Sequence, residues 1–419
     1  MIQAFYTGIS GIKSHQSAID VTSDNLANIN TVGFRSFETE FASLFEAPEE
    51  TTFDSSVDSS VGIGSRMQTT ALNLSQGSLI DSDRNSDLAI VGDGWFGIED
   101  ANERYYTRAG NFGFDSNRDL VTPEGMYVLG TLGDNIDLTN NTLTQELTDI
   151  PLGDVTAQKK IQLPKTLTYP AQPTKSIQFF GNIGTDDEVR IISAKAIDAN
   201  GESNKVKLTF TLNQKDPNGG SLWDVKADVT TPDESKVYSS STGEVRFDSS
   251  GGLVSSTLTS VDNNGTPVSI DLGSDFSGVI SIGNVPVSGS SQSDGISSGE
   301  LVGYDINQNG EVVATFSNGR QSSVAQIALF HFQNDQGLER ISGTLFQSSP
   351  NSGKPTFFQD ANKNNVLGAS IVNQKLEASN FKIETGLTEL IIYQRAYDAN
   401  AKSVTTADQM IQKALNMDA

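Results

Sequence analysis

One glycine-rich segment has the residue pattern of a nucleotide-binding loop. Residues 92–97 read G-D-G-W-F-G and match G-x-G-x-x-G, and they follow the apolar run 88–91, where a dinucleotide site has its strand. A phosphate cradle also needs a helix N-terminus directly after the glycines. Residues 98–114 are instead aromatic, glycine-punctuated and strand-like. The segment after the glycines therefore argues against a nucleotide site.

Two other segments resemble half of a calcium-binding loop. Residues 305–310 place oxygen-bearing side chains at alternate positions and Gly at the sixth, but position twelve is Phe316, where a calcium loop has a bidentate Glu. In the second segment, residues 115–119, Leu120 replaces the Gly and Met126 the Glu. Both segments are therefore predicted to be turns.

Few residues remain that could support catalysis. The chain has no cysteine, its two histidines, His15 and His331, lie far apart in sequence, and no serine lies in a G-x-S-x-G elbow. We predict that both histidines are structural and that the chain has no catalytic residue, no metal site and no cofactor. The sequence does not exclude a catalytic pair of carboxylates, because the distance between two such groups depends on the fold.

The charge balance excludes two classes of partner. The 419 residues include 28 Lys and Arg against 52 Asp and Glu, a net charge of −24. Nucleic acids and anionic membranes are bound through positive surface charge, so neither is a predicted partner. No membrane-spanning segment and no cleaved signal peptide are apparent, which suits either a cytosolic protein or one exported through its uncleaved N-terminus.

Both ends of the chain have the spacing of a coiled-coil seam. Steps of alternately four and three residues pass through mostly apolar positions in each end, which predicts two amphipathic helices. We assign assembly to these seam residues: Phe5, Ile9, Ile12, Ile19, Leu26, Leu387, Leu390, Tyr397, Val404, Ile411 and Leu415. Each seam needs a partner, either the other helix or a neighbouring domain. The polar stretch from Glu46 to Ser65, predicted to be a loop, favours helix pairing.

The middle of the chain has the pattern of antiparallel β structure. Short apolar runs are bounded by turn residues, and four Asn-Gly dipeptides predict hairpins: Asn200-Gly201, Asn264-Gly265, Asn309-Gly310 and Asn318-Gly319. The proline-rich segment 163–174 and the Ser/Gly-rich segment 288–299 are predicted to bracket an inserted domain.

The predicted fold class is therefore multidomain α+β. It combines a terminal α-helical coiled coil, in which the N- and C-terminal helices pair, with two mainly antiparallel β-domains, one inserted in the other. The predicted regions are 1–35 with 376–419 for the helical core, 36–72 with 361–375 for the connecting region, 73–168 with 289–360 for the β-domain, and 169–288 for the inserted outer β-domain.

Several motifs resemble the bacterial flagellar rod and hook axial protein family. The N-terminal match is to N-L-A-N-x-x-T-x-G-[FY], carried by Asn25, Leu26, Ala27, Asn28, Thr31, Gly33 and Phe34. The C-terminal match is to Q-R-x-Y-x-x-N-x-K followed by T-x-D, carried by Gln394, Arg395, Tyr397, Asn400, Lys402, Thr406 and Asp408. Residues 87–96 and 106–110 resemble D-L-A-I-x-G-x-G-F-F and Y-T-R-x-G, with Trp95 replacing Phe.

The middle resembles the hook members of that family more than the shorter rod members. The similarity lies in residues 299–319, 326–332 and 377–380, and it is weak over 170–288. One departure is Thr385-Gly386, where the family commonly begins its last helix with acidic residues. Because Gly lowers helix propensity, the start of that helix is not defined by the sequence.

The resemblance implies a structural subunit and not an enzyme. It implies polymerisation into a flexible curved tube that joins the rod and motor to the filament and transmits torque in bacterial motility. Implied partners are further copies of the chain, the distal rod, hook-cap and hook–filament junction proteins, and the flagellar type III export apparatus. The implied location is the flagellum, outside the cell. A distal rod or hook-like paralogue, and a soluble β-rich enzyme or binding protein, remain alternatives.

Overall fold

Two long terminal helices pack against each other in antiparallel orientation. The structure, a computed structural model, describes residues 2–45, 62–101, 103–215 and 220–417. Helix α1 spans Ile2–Ala27 and helix α2 spans Ile383–Met417. A Cβ at Gly8 would lie 2.6 Å from Val404 Cγ2, and the His15 ring lies 6.2 Å from that of Tyr393. Later residues of α1 thus contact earlier residues of α2, which is the pattern of antiparallel helices. The predicted helix pairing is confirmed.

Helix α2 begins before the glycine that left its start undefined. Gly386 lies within the first turn, and a Cβ there would lie 1.9 Å from Phe381 Cζ. The glycine therefore allows the preceding aromatic side chain to fold back against the helix. Packing outweighs the cost of about 1 kcal/mol that Gly carries in a helix.

A β-hairpin follows α1 and lies along it. Strand β1 (Phe37–Phe45) pairs antiparallel with β2 (Gly62–Leu72). The Ser14 hydroxyl donates to Ser65 O at 2.8 Å, which ties β2 to the helix. The predicted connecting region 36–72 thus contains a hairpin. Of the loop predicted for Glu46 to Ser65, residues 46–61 lie outside the described residues, and the remainder belongs to β2.

The body of the protein is built from two groups of strands that flank the inserted segment in sequence. The first group is β3 (Leu79–Asp81), β4 (Leu88–Val91), β5 (Trp95–Asp100), β6 (Glu103–Thr107), β7 (Gly113–Phe114), β8 (Leu120–Val121), β9 (Tyr127–Leu132), β10 (Ile136–Asp137), β11 (Thr142–Leu143), β12 (Lys159–Lys160) and β13 (Thr168–Tyr169). Most of these strands join one large, mainly antiparallel sheet with strands of the second group.

The strands between the two groups pair only with one another within the described part of the chain. They are β14 (Ser176–Asn182), β15 (Arg190–Ile197), β16 (Ser203–Lys215), β17 (Ser221–Thr230), β18 (Val237–Phe247), β19 (Leu253–Ser256), β20 (Ser260–Asn263), β21 (Thr266–Asp271), β22 (Val279–Ile280) and β23 (Ser290–Ser293). They enclose their own hydrophobic cluster around Trp223 and Phe210. The domain boundaries at 169 and 288 stay a prediction.

The second body group completes the sheet and leads into α2. It is β24 (Gly299–Ile306), β25 (Glu311–Phe316), β26 (Gln321–Ile327), β27 (Leu329–Phe330), β28 (Glu339–Ser342), β29 (Leu345–Gln347), β30 (Phe358–Gln359), β31 (Asn365–Val366), β32 (Ser370–Asn373) and β33 (Lys375–Glu377). Single 3₁₀ turns cover Val155–Ala157 and Asp335–Gly337. The body has two clusters of its own, one around Phe96 and Phe316 and one around Trp95 and Phe330.

The four Asn-Gly dipeptides that predicted hairpins lie in tight connections between adjacent antiparallel strands. In each of them the glycine has a positive φ, between 75° and 90°, which only glycine adopts without steric cost. The predicted β-rich middle is therefore confirmed. None of the helices in the described ranges is both long and apolar enough to cross a membrane.

Candidate functional site

The strip of α1 that is fully buried consists of small and polar residues. Gly8 and Gly11 permit close approach, since a Cβ at Gly11 would lie 2.6 Å from Asn400 Oδ1. The other buried members are Ser14, Ala18, Thr22 and Asn25. The predicted seam residues lie beside this strip and are half-buried: Phe5, Ile9, Ile12, Ile19 and Leu26. Within one chain the small residues make the close contact, which leaves part of the apolar seam accessible.

Helix α2 exposes much of its apolar surface. Four predicted seam residues are half-buried: Leu390, Tyr397, Val404 and Ile411. Leu387 and Leu415 are 45% and 68% exposed. Ile383 and Ile391, 44% and 56% exposed, continue the stripe of Leu387 at i, i+4 spacing. An isolated helix gains most of its stability from burying its apolar face. This stripe has no partner within the described part of the chain.

The N-terminal motif forms the turn by which the chain leaves α1. The buried Asn25 side chain both donates to Phe37 O at 2.7 Å and accepts from Phe37 N–H at 2.9 Å, so it holds the start of β1 against the helix. Gly33 has a φ of +69°, and a Cβ there would lie 2.2 Å from Ala109 N. The motif thus joins the helical pair to the body at a point where only glycine fits.

A buried carboxylate, Glu377, lies where this turn meets the body. The Glu377 side chain is 1% exposed, and its two oxygens lie 2.8 Å from Arg35 Nη2 and 3.4 Å from Arg108 Nη1. Gly77 N–H also donates to Oε1 at 2.8 Å. Arg35 follows the N-terminal motif, Arg108 belongs to the body, and Glu377 precedes α2. We call these three residues the junction clamp.

Burial sets the electrostatics of the junction clamp. Desolvation lowers the pKa of Arg108 to about 10, the nearby Arg35 cation adds to that effect, and Glu377 opposes it. Burial also lowers the pKa of Arg35, again opposed by Glu377. Two guanidinium groups share one carboxylate, and Arg108 also lies 5.7 Å from the centre of the Trp95 ring. Such a buried cluster is costly to break, because any partner left alone is an uncompensated buried charge.

Asn380 reinforces the junction clamp from the same segment. Its Oδ1 accepts from Ser36 N–H at 2.8 Å, and its amide donates to Asn73 O at 2.8 Å and to Ser75 O at 3.0 Å. One side chain therefore bonds both the exit from α1 and the segment that follows β2. The segment 377–380 thus holds together parts of the chain that lie about three hundred residues away in sequence.

Comparison with known proteins identifies the segments that meet here. Family models match three parts of the chain: the flagellar basal body rod protein over residues 5–35, the flagellar hook protein FlgE/F/G D1 domain over 89–177, and the flagellar basal body rod FlgEFG protein C-terminal over 372–417. All three descriptions are of flagellar hook or rod proteins, so the chain is similar to these proteins in each of the three parts. Each member of the junction clamp lies in a different one of these matches.

Relatives named flagellar hook protein FlgE match over their full length. That of Borreliella burgdorferi is 26% identical over 100% of both chains, and that of Escherichia coli is 27% identical over 99% of this chain and 100% of its own. Among solved structures, the Helicobacter pylori flagellar hook protein FlgE2 is 18% identical, with a TM-score of 0.49 over 71% of this chain and 100% of its own.

The apparent nucleotide motif belongs to the β body. Gly92 and Gly94 form a turn between β4 and β5, and the strand β5 follows where a phosphate cradle needs a helix. The backbone carbonyl of Gly92 accepts from Arg108 Nη2 at 2.8 Å. The segment therefore supports the junction clamp.

Both calcium-like segments are turns, as predicted. Asn307 Oδ1 accepts from the backbone N–H groups of Asn309 and Glu311 at 2.9 and 3.0 Å within the β24–β25 hairpin. Asp115 Oδ1 accepts from the backbone N–H groups of Asn117 and Asp119 at 2.7 and 2.9 Å. In each segment, one side-chain oxygen of the pattern thus bonds to the backbone of its own turn.

The two histidines lie in separate packed environments. His331 is 7% exposed, and its Nε2 donates to Leu367 O at 2.6 Å. His15 packs between Phe41 of β1 and Tyr393 of α2, at ring distances of 5.6 and 6.2 Å. Burial lowers the pKa of both side chains. Each therefore holds elements together in its neutral form.

The C-terminal motif has two kinds of residue. Gln394 and Arg395 are exposed on α2, whereas Asn400 lies against Gly11 and donates to Ala396 O at 2.8 Å. Sequence reasoning did not assign Arg35, Arg108 or Glu377 to a site. Arg108 and Glu377 lie in motifs already noted. A charged residue inside an otherwise apolar or small-residue motif is the sequence feature that indicates such a site.

Proposed function

We propose that this chain is a structural subunit of the bacterial flagellar hook, which polymerises into a flexible curved tube linking the rod and motor to the filament. The observations that carry the proposal are the exposed apolar stripe of α2 and the half-buried seam of α1. A paired helical unit with an uncovered apolar face is stabilised by packing on neighbouring copies. Full-length relatives named as hook proteins support the same function.

The proposed arrangement places the paired helices at the inner wall of the tube and the β strands outside them. A joint that bends without coming apart needs a cohesive inner layer and outer parts that shift relative to one another. The seam residues predicted from the sequence are the proposed contacts of the inner layer. In this proposal the chain has an assembly role and no catalytic residue.

The further proposed partners follow from the family. They are the distal rod, the hook cap, the hook–filament junction proteins and the type III export apparatus, and the proposed location is the flagellum outside the cell. A distal rod or hook-like paralogue is the second candidate, since two of the matching family models describe basal body rod proteins.

Electron microscopy of assemblies grown from the purified chain tests the proposal. Curved tubes are expected for a hook subunit, and short straight cylinders would favour the rod paralogue. A chain that stays monomeric under all assembly conditions would contradict both.

Deletion of residues 380–419 is a second test, because it removes α2 and keeps the body strands. This truncation is expected to abolish assembly. Normal tubes from the truncated chain would refute the role of the helical pair.

A further inference from the structure

A second link joins the helical pair to the body at the end of α1. Arg340 lies on β28 of the body, and its Nη1 is 2.9 Å from Asp24 Oδ2 in the last turn of α1. Its guanidinium carbon lies 5.1 Å from the centre of the Phe34 ring and 5.3 Å from that of Phe37. One body side chain therefore contacts the helix end, the motif turn and the start of the hairpin.

The Arg340 side chain is also held by a hydrogen bond within the body. Its Nε donates to Gly343 O at 2.9 Å across the β28–β29 turn. The planar guanidinium group is thus oriented by a backbone carbonyl before it meets the carboxylate and the two rings. A guanidinium held in this way loses less side-chain entropy when it binds.

This link differs from the junction clamp in its exposure to water. The side chains of Arg340 and Asp24 are 23% and 50% exposed, whereas that of Glu377 is 1% exposed. An exposed ion pair contributes little net free energy and breaks and reforms readily, whereas a buried one does not. The junction clamp is therefore a fixed point, and the Arg340 contact is able to open.

A cavity of about 320 Å³ lies next to the Arg340 contact. Its lining includes Thr31 and Val32 of the motif turn, residues 342–344 of the β28–β29 turn, and several residues of the body. Close packing would prevent movement of these turns, because packed interiors deform little. The cavity leaves room for α1 to approach or recede from the body.

We propose that Arg340 is a positioning residue that sets the tilt of the helical pair relative to the body, with the junction clamp as the pivot. Contact with Asp24, Phe34 and Phe37 defines one end of the tilt range, and loss of that contact lets the pair swing. An effect of this tilt on the bending of an assembled tube rests on the proposed function. The tilt itself is a property of the single chain.

Distance measurement between spin labels tests this proposal. The chain has no cysteine, so Asp20→Cys on α1 and Ser116→Cys on the body, both exposed, give two specific attachment sites in the full chain. The Arg340→Gln variant is expected to give a distance distribution roughly twice as broad by pulsed electron resonance, since the tilt is no longer limited.

The matched control is Arg320→Gln, which removes a more exposed body arginine whose ion pair with Glu146 spans 3.9 Å. It is expected to leave the distribution unchanged. An unchanged distribution for Arg340→Gln overturns the proposal, as does a lowered melting temperature without broadening, which indicates a purely structural role. If Arg340→Gln does not fold, Asp24→Asn is measured instead, and an unchanged width for that variant likewise overturns it.

The labels are read in dilute chain, before assembly. Failure of the unmodified chain to form tubes therefore counts against the proposed function and leaves the tilt result intact. Broadening by Arg340→Gln in a chain that does assemble is expected to change the curvature of the tubes.

Discussion

At the scale of single residues, the chain places three of its buried charges where three distant segments meet. Glu377 forms ion pairs with both Arg35 and Arg108, so removal of the carboxylate leaves two buried cations without their shared partner. The cost of that loss is far larger than the cost of losing an exposed ion pair. The contact between the helical pair and the body therefore depends on one carboxylate.

Replacement of Glu377 by Gln is expected to lower the free energy of unfolding by about 3–5 kcal/mol, because the arginines lose their counter-charge in a buried site. Urea denaturation of the two proteins measures the difference. Glu339→Gln, at an exposed position on β28, is the control and is expected to change the value by less than about 0.5 kcal/mol. Equal effects of the two substitutions would contradict the role of the clamp.

The pH dependence of stability is expected to contain a contribution from His331. Burial lowers its pKa below the ordinary value of 6.5; Asp335 and Asp93 oppose the shift, and Arg108 adds to it. The unfolded chain then binds a proton more readily than the folded chain. Stability is therefore full above the ordinary pKa and is lost as the pH falls through it.

His331→Gln tests this contribution, since Gln keeps an N–H donor and does not titrate. The free energy of unfolding of the variant is expected to fall less than that of the unmodified chain between about pH 7 and pH 5. Parallel curves for the two proteins would show that His331 does not contribute.

At the scale of elements, the close packing of α1 depends on its glycines. Glycine is a poor helix former, and Gly8 and Gly11 are retained inside a helix of 26 residues. The gain is the close approach of α2, which larger side chains would prevent. Packing therefore outweighs local propensity in this helix.

Gly8→Leu is expected to destabilise the helical pair by about 1–3 kcal/mol, although Leu is the better helix former, because its side chain would overlap Val404. Thermal unfolding followed by helical circular dichroism measures the effect. Gly303→Leu, where no atom lies within 4 Å of an added Cβ, is the control and is expected to be close to neutral. A stabilised Gly8→Leu variant would mean that the helices are not closely packed here.

The apolar stripe of α2 is expected to matter for assembly and not for folding of the single chain. Simultaneous replacement of Ile383, Leu387 and Ile391 by Gln, all 44–56% exposed, is expected to abolish tubes in electron micrographs while leaving the urea midpoint nearly unchanged. In the control, Gln replaces Val237 and Val254, which lie on the inserted strands and are 58% and 60% exposed. Tubes from the triple variant would refute the stripe as an assembly surface.

At the scale of the whole molecule, the inserted strands form a unit with close ends. Asp294 Oδ1 accepts from Lys175 N–H at 2.9 Å, so the chain enters and leaves the unit at one place. The unit also has a hydrophobic cluster separate from those of the body. Both features are typical of an inserted domain that folds independently.

Replacement of residues 176–293 by Gly-Gly-Ser is therefore expected to leave a body that unfolds cooperatively. Since the proposed assembly contacts lie on the terminal helices, the shortened chain is also expected to form tubes. Calorimetry and electron microscopy check the two outcomes, and a shortened chain without a cooperative transition would contradict the proposed domain division.

The sequence by itself determined the two terminal helices, the β-rich middle, its four Asn-Gly hairpins and the similarity to flagellar hook and rod proteins. Those features depend on local periodicity, turn chemistry and short motifs, all of which are written in neighbouring residues. Only the tertiary structure decided that Arg35, Arg108 and Glu377 share one buried site, and that small residues make the closest contact between the helices. These are contacts between segments far apart in the chain, and their formation depends on how whole elements pack.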